Sequence, residues 1–138
     1  MFSTSEDVFL LQDRFTISRG PKTEARVLTV CVTREGVTGR GECVPYARYG
    51  ETVDSVRAQI KALPPGITRA ALHAALPPGA ARNAVDCALW DLEARQQGQR
   101  VWMIAGLKAP HPVVTAYTLS LAAPDAMRVA AAANAHRP

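Results

Sequence analysis

The amino-acid sequence predicts an α+β fold: a small antiparallel sheet, then helices, and finally one strand followed by one helix. Residues before position 45 include a stretch that alternates between apolar and polar types and is rich in β-branched side chains, which favours strands. Between positions 52 and 106, apolar residues recur at helical spacing. A strand-like run at Val113–Leu121 comes shortly before a helix signal at Pro124.

Two paired strands are predicted in the first of these regions. Ala25–Thr33 (ARVLTVCVT) alternates as a strand that packs on at least one face. Arg34–Gly36 supplies a tight turn with a glycine that can adopt positive φ, and Val37–Cys43 returns as the partner strand. Gly39 and Gly41 either weaken that strand or mark a close approach of another backbone.

Three helices and a short helical turn are predicted in the second region. Thr52 and Thr68 are suitable N-caps for two helices that end at Pro-Pro-Gly sequences. The longest helix is expected over Ala80–Gln97, with Gly98 at its C-terminal cap. Val101–Ala105 is expected to add one helical turn.

The last predicted strand and helix indicate that the chain is part of a longer protein. Val113–Leu121 (VVTAYTLSL) is expected to be a strand, and Pro124 opens a helix in which Asp125 lies near the positive end of the helix dipole. A parallel strand needs neighbours to satisfy its backbone. The alternative is a small α+β domain with a C-terminal hairpin of elements.

Composition excludes several classes of protein. The 138 residues are 48% apolar and 20% charged, which is typical of a globular protein. No apolar run is long enough to span a bilayer, and the acidic N-terminal segment does not resemble a secretory signal. The basic residues behind the net charge of +4 are scattered, which disfavours nucleic acid but leaves small anionic ligands open.

The cysteines indicate a reducing compartment. Cys31, Cys43 and Cys87 are odd in number and widely spaced, without a CxxC pair, so neither a disulfide framework nor a zinc site is expected. All three cysteines are expected on buried faces, and the protein is expected in the cytoplasm.

Four stretches together resemble one known family. They are FTISRGPKTEARV (15–27), GRGECVPYARYGET (39–52), AARNAVDCALWDLEARQQGQRVWMIAGL (80–107) and TAYTLSL (115–121). In order, spacing and content they are similar to the N-terminal part of a dipeptide epimerase of the enolase superfamily, in its muconate-lactonising subgroup. The Pro-Tyr-x-Arg-Tyr-Gly run within 39–52 resembles epimerases that act on dipeptides such as L-Ala-D/L-Glu.

This resemblance implies a two-part layout. Residues 1–112 are expected to form the N-terminal capping domain, a three-stranded antiparallel sheet followed by helices. Residues 113–138 are expected to be the first strand and helix of an incomplete (β/α) barrel. In this family two barrel lysines exchange the α-proton, and carboxylates hold Mg²⁺ against the developing enediolate. Those positions are expected beyond Pro138, so no catalytic residue or metal ligand is assigned here, and the chain alone is expected to be inactive.

The resemblance also implies two loops that select the substrate, Ile17–Glu24 and Val44–Glu51. In the first, Arg19 and Lys22 are candidate substrate-binding residues, because a fixed cation pairs well with a substrate carboxylate. The alternative is that both are solvated loop charges.

Four further positions are candidates for binding substrate. Tyr46, Arg48 and Tyr49 lie within four residues and offer an aromatic wall and a charge for a small ligand. Thr118 lies in the expected first barrel strand, where the family places a polar residue near the substrate. The alternatives are packing of a tyrosine against the sheet and a simple strand-forming role for Thr118.

The main functional hypothesis is the N-terminal part of a Mg²⁺-dependent dipeptide epimerase that serves recycling of peptidoglycan peptides in the cytoplasm. Its expected partner is a small dipeptide, with no nucleic acid or membrane, and the complete protein is expected to be a homo-oligomer. Alternatives within the superfamily are a muconate cycloisomerase, an o-succinylbenzoate synthase or an acyl-amino-acid racemase. The alternative from another class is a non-catalytic binding module.

Overall fold

A computed structural model describes residues 1–136 of the chain. Strands come first and helices follow, as the sequence predicts. The last two residues of the predicted segment 113–138 lie outside the described residues. The elements are β1 (Phe2–Ile17), β2 (Gly20–Arg34), β3 (Val37–Cys43), a 3₁₀ turn (Ala47–Tyr49), α1 (Val53–Lys61), α2 (Arg69–Ala75), α3 (Ala80–Gln97), α4 (Val101–Ile104) and α5 (Pro124–Asn134).

Internal contacts divide the described residues into two compact units. Unit 1 combines Met1–Val8 with Arg26–Ala109, and unit 2 combines Phe9–Ala25 with the described residues from Pro110 onward. Strands β1 and β2 therefore contribute one end to each unit. The predicted domain division between residues 112 and 113 stays a prediction.

The three strands form one antiparallel sheet in the order β1-β2-β3. Arg34 pairs with Val37, so only two residues form the turn between β2 and β3. These are Glu35 and Gly36, with φ of 51° and 78°. Two consecutive positive φ values are typical of the type I′ turn that matches strand twist. The predicted sheet and turn are confirmed, and Glu35 shares the left-handed conformation that the sequence assigns to Gly36.

Helix α3 lies directly on strand β3, with backbone against backbone. A Cβ atom at Gly41 would lie 2.0 Å from the carbonyl oxygen of Ala84, and one at Gly39 would lie 2.2 Å from that of Ala88. Both distances are far inside van der Waals contact, so only glycine fits at either position. Of the two meanings that the sequence leaves open for these glycines, close backbone approach is the correct one.

The core of unit 1 lies between the sheet and the helices α1, α2 and α3. Alternate residues of β2 enter it, as expected for a strand with one face buried. The helices contribute aliphatic side chains, and α3 adds a stripe of small residues. The largest fully buried side chains are Leu28, Val30, Val32, Val56, Ile60, Leu72, Val85, Leu89 and Leu92.

Both predicted threonine caps are present. The Thr52 hydroxyl accepts a hydrogen bond from the backbone N–H of Ser55, and the Ser55 hydroxyl accepts one from the N–H of Thr52. This reciprocal pair satisfies two otherwise unpaired donors at the start of α1. Thr68 caps α2 through the N–H of Ala71. Among residues 1–136, no helix combines the length and apolarity needed to cross a membrane.

A charged and aromatic cluster joins α2 to α3 at the edge of the core. The Arg69 guanidinium donates hydrogen bonds of 2.8–3.0 Å to both carboxylate oxygens of Glu93. It also lies 3.4 Å from the ring centroid of Trp90. Bidentate pairing and a cation over an indole are both favourable for arginine. This cluster fixes α2 on the side of α3 that points away from the glycine contact.

The three cysteines differ in exposure. Cys43 is buried, Cys31 is half-buried and Cys87 is exposed. The prediction that all three lie on buried faces is therefore wrong for Cys87. That residue lies on α3 beside the buried stripe rather than within it, a distinction that helical spacing alone resolves poorly.

The strand predicted over Val113–Leu121 is absent, since residues 107–123 form neither helix nor strand. A strand requires a ladder of backbone hydrogen bonds. Here the N–H of Leu121 donates to the carbonyl of Thr16 at 2.8 Å, but no ladder continues from it. The helix predicted at Pro124 is present as α5, with the proline in its first turn.

We predict that Gly41→Ala lowers the free energy of unfolding by about 3 kcal/mol, because an added methyl group in a closely packed core forces the backbone to shift. The atom that this methyl group would meet is the backbone carbonyl oxygen of Ala84, which cannot rotate away as the end of a flexible side chain can. Urea denaturation of the two proteins measures the difference.

The matched control for this prediction is Arg40→Ala, between the two glycines on the exposed face of the same strand. It is expected to change stability by less than about 0.5 kcal/mol. Equal stabilities for Gly41→Ala and Arg40→Ala would show that α3 does not rest on this strand as described.

Candidate functional site

A cavity of about 470 Å³ lies in unit 1 beside the segment that follows β3. That segment, Val44–Glu51, is the second of the two specificity loops expected from the sequence. The wall combines the end of β3, the loop itself and the start of α3. The lining residues are Cys43, Val44, Tyr46, Tyr49, Glu51, Pro78, Gly79, Ala80 and Asn83.

The loop is folded into a compact turn. The N–H of Tyr49 donates to the carbonyl of Tyr46 at 2.8 Å, and the N–H of Gly50 donates to that of Ala47 at 3.0 Å. Gly50 ends the turn with a φ of 72°, a conformation that glycine adopts without steric cost. The rings of Tyr46 and Tyr49 lie 5.7 Å apart between centroids, tilted by 45°. This backbone turn therefore brings two of the predicted residues together.

The three candidates in this loop differ in their surroundings. Tyr46 is half-buried and Tyr49 keeps 75% of its surface exposed, and both line the cavity. Arg48 lies between them on the exposed side of the turn and is not part of the cavity wall. Two rings with accessible surface can pack against a small ligand. Their role in binding, and that of Arg48, stays a prediction.

Sequence reasoning missed the groups that attach this loop to α3. The Glu51 carboxylate accepts hydrogen bonds from the backbone N–H of Tyr46 at 3.1 Å and of Ala80 at 2.6 Å. The amide of Asn83 donates to the carbonyl of Glu42 at 3.3 Å. The contact of Glu51 with Ala80 and that of Asn83 with Glu42 span 29 and 41 residues, so no local pattern indicates them. The sequence contains one signal of this contact. The N-cap residue of α3 has no side-chain acceptor, so the first N–H groups of the helix need an acceptor from elsewhere in the chain.

Unit 2 contains the other predicted cations, Arg19 and Lys22. The predicted loop over Ile17–Glu24 is wrong, because β1 continues to Ile17 and β2 begins at Gly20. Arg19 therefore lies in a two-residue turn, and Lys22 lies on a strand. Gly20 allows so short a turn because its φ is 109°. Both cations are exposed at the tip of a hairpin, and their binding roles stay predictions.

Thr118 also belongs to unit 2 and is exposed in the segment before α5. Two residues later, the hydroxyl of Ser120 accepts a 2.8 Å hydrogen bond from the N–H of Thr16 in β1. The N–H of Leu121 returns one to the Thr16 carbonyl. The segment that carries Thr118 is thus attached to the hairpin that carries Arg19. The substrate contact predicted for Thr118 stays a prediction.

No cluster of three or more His, Cys, Asp or Glu side chains lies close enough to hold a metal within residues 1–136. Mg²⁺ binds through several converging oxygen ligands. No ligand is therefore assigned to any described residue.

The thiol of Cys43, at the edge of the cavity, has a raised pKa. Burial, followed by the nearby carboxylates of Glu51 and Glu42, raises the pKa of Cys43 to about 11. Both causes disfavour the negatively charged thiolate. The thiol therefore stays protonated at neutral pH and does not act as a nucleophile there.

Comparison with known proteins identifies the class to which this fold and loop belong. Residues 4–106 match the family described as mandelate racemase / muconate lactonizing enzyme, N-terminal domain. The chain belongs to this family. The predicted resemblance to the enolase superfamily, and the fold class of a three-stranded sheet followed by helices, are confirmed.

Characterised relatives are isomerases. The chain is 47% identical to the L-Ala-D/L-Glu epimerase of Escherichia coli over 126 residues, which is 88% of this chain and 39% of that enzyme. It is 41% identical to the N-acetyl-D-glutamate racemase of a Pseudoalteromonas species over 123 residues, 75% of this chain and 35% of that enzyme. The chain thus spans well under half the length of these relatives.

Solved structures agree with this assignment. An enolase family member from Agrobacterium tumefaciens with homology to dipeptide epimerases, bound to sodium and L-Ala-L-Glu, is 48% identical with a TM-score of 0.91. The match covers 99% of this chain and 43% of that one. The dipeptide epimerase of Methylococcus capsulatus, in complex with Mg and L-Arg-D-Lys, is 25% identical with a TM-score of 0.78, over 98% of this chain and 42% of that one.

We predict that the raised pKa of Cys43 destabilises the protein in alkali. Above pH 9 the unfolded chain releases the thiol proton, whereas the folded chain retains it up to about pH 11. The contribution of Cys43 to the free energy of unfolding is complete well below pH 9 and has fallen by about 2 kcal/mol when the pH reaches 11. Urea denaturation across this range measures it.

Other groups titrate in the same range, so the test is the difference from Cys43→Ala. This variant lacks the thiol but keeps every other titrating side chain. Its stability is expected to fall less steeply between pH 9 and 11. Parallel curves for the two proteins would contradict the burial of a protonated thiol at this position.

Proposed function

We propose that the protein is a dipeptide epimerase that acts on L-Ala-D/L-Glu-type dipeptides, and that this chain supplies its substrate-specificity elements but not its catalytic residues. One observation carries the proposal. The chain is 48% identical, across 99% of its length, to a protein whose structure contains L-Ala-L-Glu. The 47% identity to the epimerase of Escherichia coli supports the same substrate class.

The chemistry of the candidate residues is compatible with such a ligand. A dipeptide that ends in glutamate carries two carboxylates, and an exposed arginine or lysine pairs with a carboxylate through charge-assisted hydrogen bonds. We assign this role to Arg19 and Lys22 at the hairpin tip, with Thr118 as a further polar contact. In unit 1, the rings of Tyr46 and Tyr49 offer a wall for apolar parts of the ligand, and Arg48 offers a charge.

The chemical step is assigned to no residue of this chain. Inversion at an α-carbon needs a base and an acid on opposite faces of the substrate. We propose that both are lysines that lie outside residues 1–138. We also propose that the complete enzyme depends on Mg²⁺, as the complex of the Methylococcus capsulatus relative supports. Within residues 1–136, no group of three or more His, Cys, Asp or Glu side chains could hold this ion.

The setting of the reaction is part of the same proposal. We assign the enzyme to the recycling of peptidoglycan peptides, a role implied by its resemblance to L-Ala-D/L-Glu epimerases. The free thiols of Cys31, Cys43 and Cys87 are compatible with a reducing cytoplasm. A homo-oligomer stays the expectation for the complete protein.

One alternative has a specific observation in its favour. The 41% identity to an N-acetyl-D-glutamate racemase supports the alternative that the enzyme racemises acylated glutamate. Such a substrate has the two carboxylates of the dipeptide but lacks its free amino group. The muconate cycloisomerase, o-succinylbenzoate synthase and non-catalytic binding module stay predictions without such support. Turnover of L-Ala-L-Glu against N-acetyl-L-glutamate separates the two leading candidates.

We predict that the protein encoded by the complete reading frame around residues 1–138 epimerises L-Ala-L-Glu in the presence of Mg²⁺. Chelation of the metal with EDTA is expected to abolish the reaction, and added Mg²⁺ to restore it. Exchange of the α-proton with solvent deuterium, followed by proton NMR, measures turnover without coupling enzymes.

The control is the 138-residue chain by itself, which is expected to show no exchange above the buffer rate. Exchange by this chain alone would contradict the absence of catalytic residues. Turnover of N-acetyl-L-glutamate at least as efficient as that of L-Ala-L-Glu would overturn the dipeptide assignment in favour of the racemase.

A further inference from the structure

Glu51 occupies a position in unit 1 where one side chain connects two separate pieces of backbone. One carboxylate oxygen accepts the N–H of Ala80, the first residue of α3, at 2.6 Å. The other accepts the N–H of Tyr46, at the start of the loop turn, at 3.1 Å. Charged acceptors form stronger hydrogen bonds than neutral ones. The loop is therefore tied to a rigid helix by a single residue.

The start of α3 is built to receive this carboxylate. The N-cap residue is Gly79, which has no side chain to accept a hydrogen bond from the first turn. A Cβ atom there would lie 2.9 Å from the Glu51 carboxylate, so the glycine leaves the space that Glu51 fills. A negative charge is also favourable at the N-terminal end of an 18-residue helix.

The same residue closes the loop turn on itself. The backbone N–H of Glu51 donates to the carbonyl of Tyr46 at 3.4 Å, while its side chain accepts from the N–H of Tyr46. Both polar groups of the Tyr46 backbone thus contact one residue. The ring of Tyr49 lies 5.7 Å from that of Tyr46, so a displacement of Glu51 would move both rings of the cavity wall.

We infer that Glu51 is a positioning residue for substrate specificity: by bridging the loop turn to the N-terminus of α3, it sets where Tyr46 and Tyr49 stand in the cavity wall. The inference deepens the proposed function and rests on it for the identity of the ligand. Each carboxylate oxygen of Glu51 accepts a hydrogen bond from a backbone N–H group, which suits a positioning role. It acts on the ligand through the two tyrosines.

The test is Glu51→Gln in the protein encoded by the complete reading frame. Glutamine offers one acceptor oxygen, and its NH₂ group faces an N–H instead of bonding to it, so at least one bridge is lost. Amide hydrogen exchange at Tyr46 or Ala80 is expected to become about tenfold faster or more. KM for L-Ala-L-Glu is expected to rise by about tenfold or more, with kcat within about twofold.

Glu42→Gln is the matched control. It removes the same charge next to the same cysteine, from an exposed side chain outside the cavity wall. Exchange and KM are expected to match the wild type. A second variant, Gly79→Ala, keeps Glu51 but places a methyl group against its carboxylate. It is expected to raise KM, as Glu51→Gln does. It keeps the test valid if Glu51→Gln fails to fold.

Several outcomes would overturn the inference. Unchanged exchange at Tyr46 and Ala80 in Glu51→Gln would show that no bridge holds the loop. Faster exchange with unchanged KM would show that the bridge does not position the site, and an equal rise in KM for Glu42→Gln would assign the effect to charge alone. A wild-type protein without dipeptide turnover would refute the proposed function, and the exchange data would still decide whether Glu51 holds the loop.

Discussion

The contact of the α3 backbone with strand β3 is the constraint on which the rest of unit 1 depends. Side chains normally separate a helix from a sheet, but at Gly39 and Gly41 the helix lies on bare backbone. Small residues of α3, Ala84 and Ala88, face these glycines, so each partner is shaped for the other. So close a contact tolerates little sliding, because any shift brings carbonyl oxygens onto Cα atoms. The position of α3 is therefore determined by the sheet.

The candidate site inherits its geometry from that contact. The loop Val44–Glu51 leaves β3 just beyond Gly41, and Glu51 returns it to the first turn of α3. A loop fixed at both ends by rigid elements presents its side chains with little freedom, which favours a selective ligand site. Tyr46 and Tyr49 are the aromatic side chains that this fixed loop presents to the cavity.

Elements with local signals were predictable from the sequence, and contacts between distant residues were not. Thr52 indicates the start of α1 because the N–H group that it caps lies only three residues further on. Gly36 indicates a turn because glycine readily adopts a positive φ. Ala80, which donates to the Glu51 carboxylate, lies 29 residues away, so neither periodicity nor propensity reveals this contact. The strand predicted at Val113–Leu121 has the right composition but no ladder of hydrogen bonds. The loop that the resemblance implies over Ile17–Glu24 is replaced by a hairpin turn, because β2 already begins at Gly20.

Because Glu51 bonds to the first residue of α3, we expect the end of the loop to move with α3 if the helix shifts relative to β3. A crystal structure of Gly41→Ala tests it directly, since the new methyl group must displace the helix by about 1 Å, the difference between the 2.0 Å contact and the 3.0 Å that Cβ atoms keep. We expect Tyr46 and Tyr49 to move with α3 and Glu51 to keep its hydrogen bond to Ala80. Tyrosines that stay in place relative to β3, with that bond broken, would contradict this expectation.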